Sequence, residues 1–262
     1  MNVEAFLKNN PQLLSDFSFR DILLANASGS LPLLKEMVGL RKNYFEDEDS
    51  LYFLLKKQQV FNRLLLASTE VASLAAELDC ESERSKQMAV YLDQINDSKT
   101  QRLTIASVIT GAATGIGTAI FQKNKPQIAI GVSGSIISGI FGGWAAISSR
   151  DKVLFKHERN LLQDIWLAPG QSYVYPPFIW YMLNIKESNT GDKTTIQSLK
   201  ELWIYEGLFN LNNQKQIELF FGRGGYYRSN ELHSRTSMLN QLKAEIRSIN
   251  QDLQSLMLKL TV

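Results

Sequence analysis

The sequence predicts a mainly α-helical protein: long helices, a central apolar Gly-rich helical hairpin, a small aromatic-rich subdomain and a C-terminal coiled-coil helix. Three observations carry that prediction. Residues 51–102 contain neither Pro nor Gly and repeat apolar or small side chains three and four apart. Two runs without any charge, Leu103–Phe121 and Ile128–Ser149, flank a short polar turn. Leucines and isoleucines then alternate three and four apart through the last residues, Leu239 to Leu260.

Residues 1–50 read as short helices built on Leu13, Leu14, Phe17 and Phe19, then Ile22, Leu23 and Leu24, with Gly29 and Pro32 as breaks. The acidic run Glu46–Asp49 and Ser50 suit a helix start, where negative charge complements the N-terminal dipole. In the long helix over 51–102, one face holds Phe61, Leu64, Ser68, Val71, Ala75 and Leu78, then Ser85, Met88, Leu92 and Ile95. Cys80 falls within this pattern and reads as a small packing residue. As the sole cysteine, it excludes intrachain disulfides and cysteine zinc clusters.

Residues 103–149 predict an apolar hairpin. Its arms of 19 and 22 residues are long enough, at about 1.5 Å per residue, to cross a hydrocarbon layer of about 30 Å. Gln122–Gln127, broken by Pro126, supplies the turn, and Lys99, Arg102, Arg150 and Lys152 bracket the whole. Trp144 stands near the end of the second arm, where interfacial Trp is common. Small residues recur every four positions: Ser107, Gly111, Gly115 and Ala119 in the first arm. The second arm holds two such series, Gly131, Ser135, Gly139 and Gly143, and Gly134, Ser138, Gly142 and Ala146. Such series let two helix backbones approach closely. Glycine costs a helix in water about 1 kcal/mol relative to Ala, so the pattern implies a strong packing environment.

Residues 150–230 read as a charged amphipathic helix over Asp151–Leu167, ended by Pro169 and Gly170, followed by a compact cap. The cap is rich in aromatics, among them Tyr175, Phe178, Trp180, Trp203 and Phe209, and its short segments fit helices or strands equally. Gly222–Gly225 reads as a turn into the last helix, with Ser229 or Asn230 as N-cap. In residues 231–262 the seam Leu239, Leu242, Ile246, Ile249, Leu253, Leu256 and Leu260 spans three heptads. It needs a partner helix: that over 51–102, or its copy in another chain.

On the small-residue series of 103–149, the chain resembles glycine-zipper membrane hairpin proteins. In its wider plan it is similar to α-helical pore-forming toxins, which keep an apolar hairpin against long helices until they meet a membrane. The resemblance covers the hairpin and the flanking helix plan, and no family-specific residue carries over. It implies a non-enzymatic, membrane-localised protein that self-associates through a transmembrane hairpin, with the lipid bilayer and further copies of itself as partners. Two alternatives stand beside that expectation: a soluble-to-membrane pore-forming protein, and a soluble coiled-coil scaffold with a buried hairpin.

Other chemistries find little support. A net charge of +2 without a basic stripe gives no nucleic-acid footprint. The N-terminus lacks a basic start before an apolar core, so no secretory signal is expected. Thr110–Gly117 spells the TGxxxGxG cofactor loop of short-chain dehydrogenases. It follows a long helix instead of a first strand, however, and the Tyr-xxx-Lys pair is missing, since Ile185 stands four after Tyr181. No cofactor and no small-molecule substrate is expected. His157-Glu158 starts like a zinc-protease helix, but Leu161 occupies the second ligand position and His233 lies far off, so no metal site is expected. No Ser, nor Cys80, has a nucleophile's setting, so no catalytic residue is assigned. Glu158, Arg159 and Asp164 read as a solvated helix face.

Overall fold

The computed structural model describes residues 3–41, 47–97, 152–186 and 193–261. Four short helices come first: α1 (Val3–Lys8), α2 (Leu13–Asp16), α3 (Phe19–Ala27) and α4 (Leu31–Arg41). The long α5 (Asp47–Asp97) follows, then β1 (Val153–Lys156), α6 (Gln163–Leu167), α7 (Pro177–Asn184), α8 (Thr195–Tyr205) and α9 (Gln214–Phe221). The chain closes with β2 (Gly224–Tyr227) and α10 (Ser229–Thr261). The described protein is mainly α-helical, with one two-stranded antiparallel ribbon, β1–β2.

The 51 residues of α5 and the 33 of α10 pack antiparallel along the molecule. Cross-links between side chains fix the direction. Ser68 Oγ lies 2.7 Å from Asn250 Oδ1, Lys243 Nζ 2.6 Å from Asp79, and Ser82 Oγ 2.8 Å from Asn240 Oδ1. The seam between them is apolar. Val60, Leu64, Ala67, Val71, Leu74 and Leu78 of α5 are buried, as are Leu239, Leu242, Ile246, Ile249, Leu253, Leu256 and Leu260 of α10. At roughly 1.5–3 kcal/mol per buried side chain, these seven α10 residues contribute on the order of 10–20 kcal/mol before ordering entropy is subtracted. The Ser–Asn rungs pin the register, because a slip would strand their polar atoms in the seam.

The short N-terminal helices cover one side of this pair. A capping box starts α3: Asp21 N donates to Ser18 Oγ at 3.2 Å, and Ser18 N to Asp21 Oδ2 at 2.8 Å. Arg20 then pairs with Asp252 at 2.9 Å, Asp21 with Lys259, and Glu36 with Lys56 at 2.6 Å. Gly29, at φ +70°, makes the break between α3 and α4. Pro32 does not break a helix: it lies in the first turn of α4, where the missing N–H costs no hydrogen bond.

The cap is helical apart from β2 and packs on its aromatics. Trp166 stacks on Phe221 with centroids 4.7 Å apart, and Phe209 meets both edge-on. Trp203 is wholly buried among them. Asn26 Nδ2 donates to Tyr181 Oη at 2.9 Å, tying α3 to α7.

Three sequence expectations are corrected. The amphipathic helix over Asp151–Leu167 is instead a strand followed by the short α6. Val153 and Phe155 are buried while Lys156 is exposed, a period of two that lets the segment pair with Gly224–Tyr227. Ser229 is not a cap but a helical residue whose hydroxyl reaches across to α5. Among the described residues, no helix is long and apolar enough to cross a membrane. Both long helices carry charge at intervals too short for a span, such as Lys56, Lys57, Arg63 and Glu70 in α5. That finding overturns the membrane-localised protein built on a glycine-zipper transmembrane hairpin. The small-residue positions assigned to that zipper (Ser107, Gly111, Gly115, Ala119, and the two series from Gly131 to Ala146) lie outside the described residues.

Candidate functional site

α5 ends at Asp97 and the described chain resumes at Lys152, just before β1, so the residues fastening those two points form the candidate site. Both points lie at one end of the α5–α10 pair. On the outgoing side, Ser229 Oγ lies 3.2 Å from Ala89 O and donates to Asp93, while His233 Nε2 lies 2.9 Å from the other Asp93 oxygen. The Ser229 hydroxyl, followed by His233, holds the Asp93 carboxyl below the usual range. On the return side, Val153 pairs with Tyr227, two residues before Ser229. Arg84 of α5 closes the gap between the sides: its guanidinium sits over the Phe155 ring at 4.4 Å, and Nη2 donates to Lys156 O at 3.1 Å.

Behind this ribbon lies a buried polar knot of His157, Asn160, Tyr227 and Arg235. The Tyr227 hydroxyl donates to Leu219 O, leaving its lone pair to accept from His157 Nε2–H at 2.7 Å. That pairing assigns the Nε2–H tautomer and leaves Nδ1 as a buried acceptor without a donor among the described residues. Burial, reinforced by the positive charges of Arg235 and Arg84, pushes the His157 pKa down to about 2, so the ring is neutral. Burial also raises the Tyr227 phenol well above its ordinary range.

Arg235 is wholly buried and, among the described residues, forms no ion pair. Carbonyl oxygens carry its charge instead. Nη1 donates to Phe220 O at 3.0 Å and Nη2 to Asn160 Oδ1 at 3.2 Å. Asn160 Nδ2 donates in turn to Phe220 O and Gly222 O, both at 2.8 Å. One cation thereby fastens α10, the end of α9 and the turn after β1. Gly224 permits the close approach: at φ +82° its backbone runs against Phe155, and a Cβ there would stand 2.3 Å from Phe155 O.

Among the described residues the knot is covered, Tyr227 and Arg235 completely. Two surface depressions lie elsewhere, one lined by Val71, Ala76 and Asn250, the other by Ile204, Phe209 and Gln216. The arrangement holds chain segments together and, among the described residues, sets no nucleophile beside a base.

Several residues singled out from sequence find a definite place. The seam from Leu239 to Leu260 lies buried on α5. Cys80 is exposed. Arg159 pairs with Glu77 of α5 at 2.7 Å, and Asp164 is buried and accepts from Ser172 Oγ, so neither belongs to a solvated helix face. His157 and His233 serve separate sides of the site. Sequence reasoning missed Tyr227, Arg235 and Asn160; the one local signal was the alternation of Val153, Phe155 and His157, which is strand-like. No protein-family model, curated protein or solved structure matches the chain.

Proposed function

We propose that this is a non-enzymatic helical protein that keeps its apolar run 103–149 away from lipid until a trigger acts, and then delivers it into a bilayer in the manner of α-helical pore-forming proteins. One observation carries the reading: α5 ends, and the described chain resumes before β1, at the same end of the α5–α10 pair, where a two-armed insert would begin and finish. Its support from sequence is the absence of charge in both arms. The described residues carry charge along both long helices and include no helix long and apolar enough to cross a membrane.

The test uses the full chain purified without detergent and added to dye-loaded liposomes. Dye release that depends on protein concentration is the expected result. A chain that can be extracted only with detergent, or that releases no dye across a range of pH and lipid charge, refutes it. A helical scaffold is the contrary outcome: it purifies without detergent and leaves liposomes intact.

A further inference from the structure

The chain has two histidines, and each fastens one of the two points described above: His233 the end of α5, His157 the ribbon. A proton does opposite things to them. His233 is half exposed and its Nε2 meets Asp93 Oδ2 at 2.9 Å, so a charged ring gains an ion pair there. The Ser229 hydroxyl, then His233, hold the Asp93 carboxyl below the usual range, so it stays charged at pH 5.

His157 has no such partner. The residue is 6% exposed, its Nε2 is committed to the Tyr227 hydroxyl, and its Nδ1 is enclosed with no hydrogen-bond partner among the described residues. A second proton must go on Nδ1, where it becomes a buried donor with nothing to accept it. The charges facing the ring have the wrong sign: α5 presents Arg84 and α10 presents Arg235. From β2 comes only the Tyr227 phenol, which burial holds neutral. The acids of the packed elements are turned to other groups. Glu81 of α5 pairs with Arg84 at 3.0 Å, Glu231 of α10 accepts from Arg228 N at 2.8 Å, and Glu218 of α9 stands against Gly222. Lys156 and Glu158, its neighbours in the chain, are exposed.

We propose that acid parts β1 from β2 while the end of α5 stays fastened to α10, so that the ribbon is a one-sided clasp released by a proton. The ribbon is short: four residues pair with four, and His157 N adds one bond to Arg223 O at 3.1 Å. Phe155 meets His157 and Tyr227 edge-on, with centroids 5.3 and 5.8 Å away, so the imidazole cannot leave without unpacking the strand. The α5–α10 seam is held by leucines, isoleucines and Ser–Asn rungs, none of which titrates between pH 7 and pH 5. Linkage sets the size of the effect. The closed ring refuses a proton until about pH 2, whereas a released histidine takes one near pH 6.5. The equilibrium for opening therefore grows about 25-fold from pH 7 to pH 5.

The test is hydrogen exchange of the full chain at pH 7 and pH 5, corrected for the pH dependence of exchange itself, with urea added in small steps. Amides of Val153–Lys156 and Gly224–Tyr227 should lose about 25-fold of their protection, with little dependence on urea and no change in helical circular dichroism. His157→Gln should abolish that loss. A disulfide between Leu154→Cys and Tyr226→Cys, made with Cys80→Ser, provides a second check that leaves His157 in place. These residues face each other across the ribbon, and the oxidised clasp should lose the acid response that the reduced one keeps. Ribbon amides that exchange together with the α5–α10 seam, at the same free energy and urea dependence, would show that acid acts on the whole fold and overturn the proposal. So would a response that survives the disulfide or His157→Gln. No lipid enters the test, so the inference stands apart from the bilayer reading.

Discussion

Acid should loosen the protein through His157. The ring is neutral in the fold because burial and the nearby charges of Arg235 and Arg84 push its pKa from 6.5 to about 2. The Tyr227 hydroxyl and Leu219 O complete its polar surroundings. An unfolded chain carries an ordinary histidine, which protonates near pH 6.5. Below that pH the unfolded state binds a proton that the fold refuses, so stability is fully present above about pH 6.5 and falls as pH drops toward 2. The slope is about 1.4 kcal/mol per pH unit for one proton, so pH 5 costs about 2 kcal/mol through this group alone. His157→Gln removes the titration and keeps an N–H for Tyr227. Urea unfolding at pH 7 and pH 5 on both proteins isolates the contribution, since every other titrating group acts equally in the two. The unaltered chain should lose about 2 kcal/mol more than the variant. Equal losses would show that protonated His157 is tolerated in the fold, and the burial argument would fail.

Two further substitutions probe the same architecture. Gly224→Ala places a Cβ 2.3 Å from Phe155 O at φ +82°; left-handed backbone and clash together should cost at least about 2 kcal/mol, read as a fall of roughly 4–8 °C in Tm. A shift within a degree would mean the ribbon yields. Ile249→Asp with Leu253→Asp puts two carboxylates into a seam where those side chains are 3% and 0% exposed. Each should cost at least about 3 kcal/mol, separating α10 from α5 in thermal melts followed by circular dichroism; an unchanged melting curve rules that packing out.

The two long helices were legible because their stabilising contacts repeat at a short, regular interval. Even so, the seam of α5 sits one residue from the spacing read in sequence at three points. Val60, Ala67 and Ala89 are buried, where Phe61, Ser68 and Met88 had been expected, and Ile95 is 40% exposed. Over so long a helix, threes and fours can be combined in more than one way, and only the partner surface selects among them. The strand Val153–Lys156 was not legible for a related reason. Four residues give too few repeats to tell a period of two from one of 3.6, and the charges around them favour a helical reading. Its partner, Gly224–Tyr227, opens with two glycines, a residue depleted in strands. The knot was hidden more deeply, because His157, Asn160, Tyr227 and Arg235 meet only after the ribbon pairs. Arg235 sits among ordinary helix formers, and nothing local says that its guanidinium is buried against carbonyls instead of facing solvent.

That knot stands where the described chain leaves α5 and resumes. His157 lies five residues beyond Lys152, and Asp93 four before the end of α5. Protonating His157 therefore weakens the fastening of those two points. Closing a 54-residue excursion costs little more than closing a short one, about 0.6 kcal/mol per doubling of length. The ribbon and knot therefore exceed what loop closure demands. Their surplus fixes where the two ends stand, and a protein needs that only if the position of what lies between them matters.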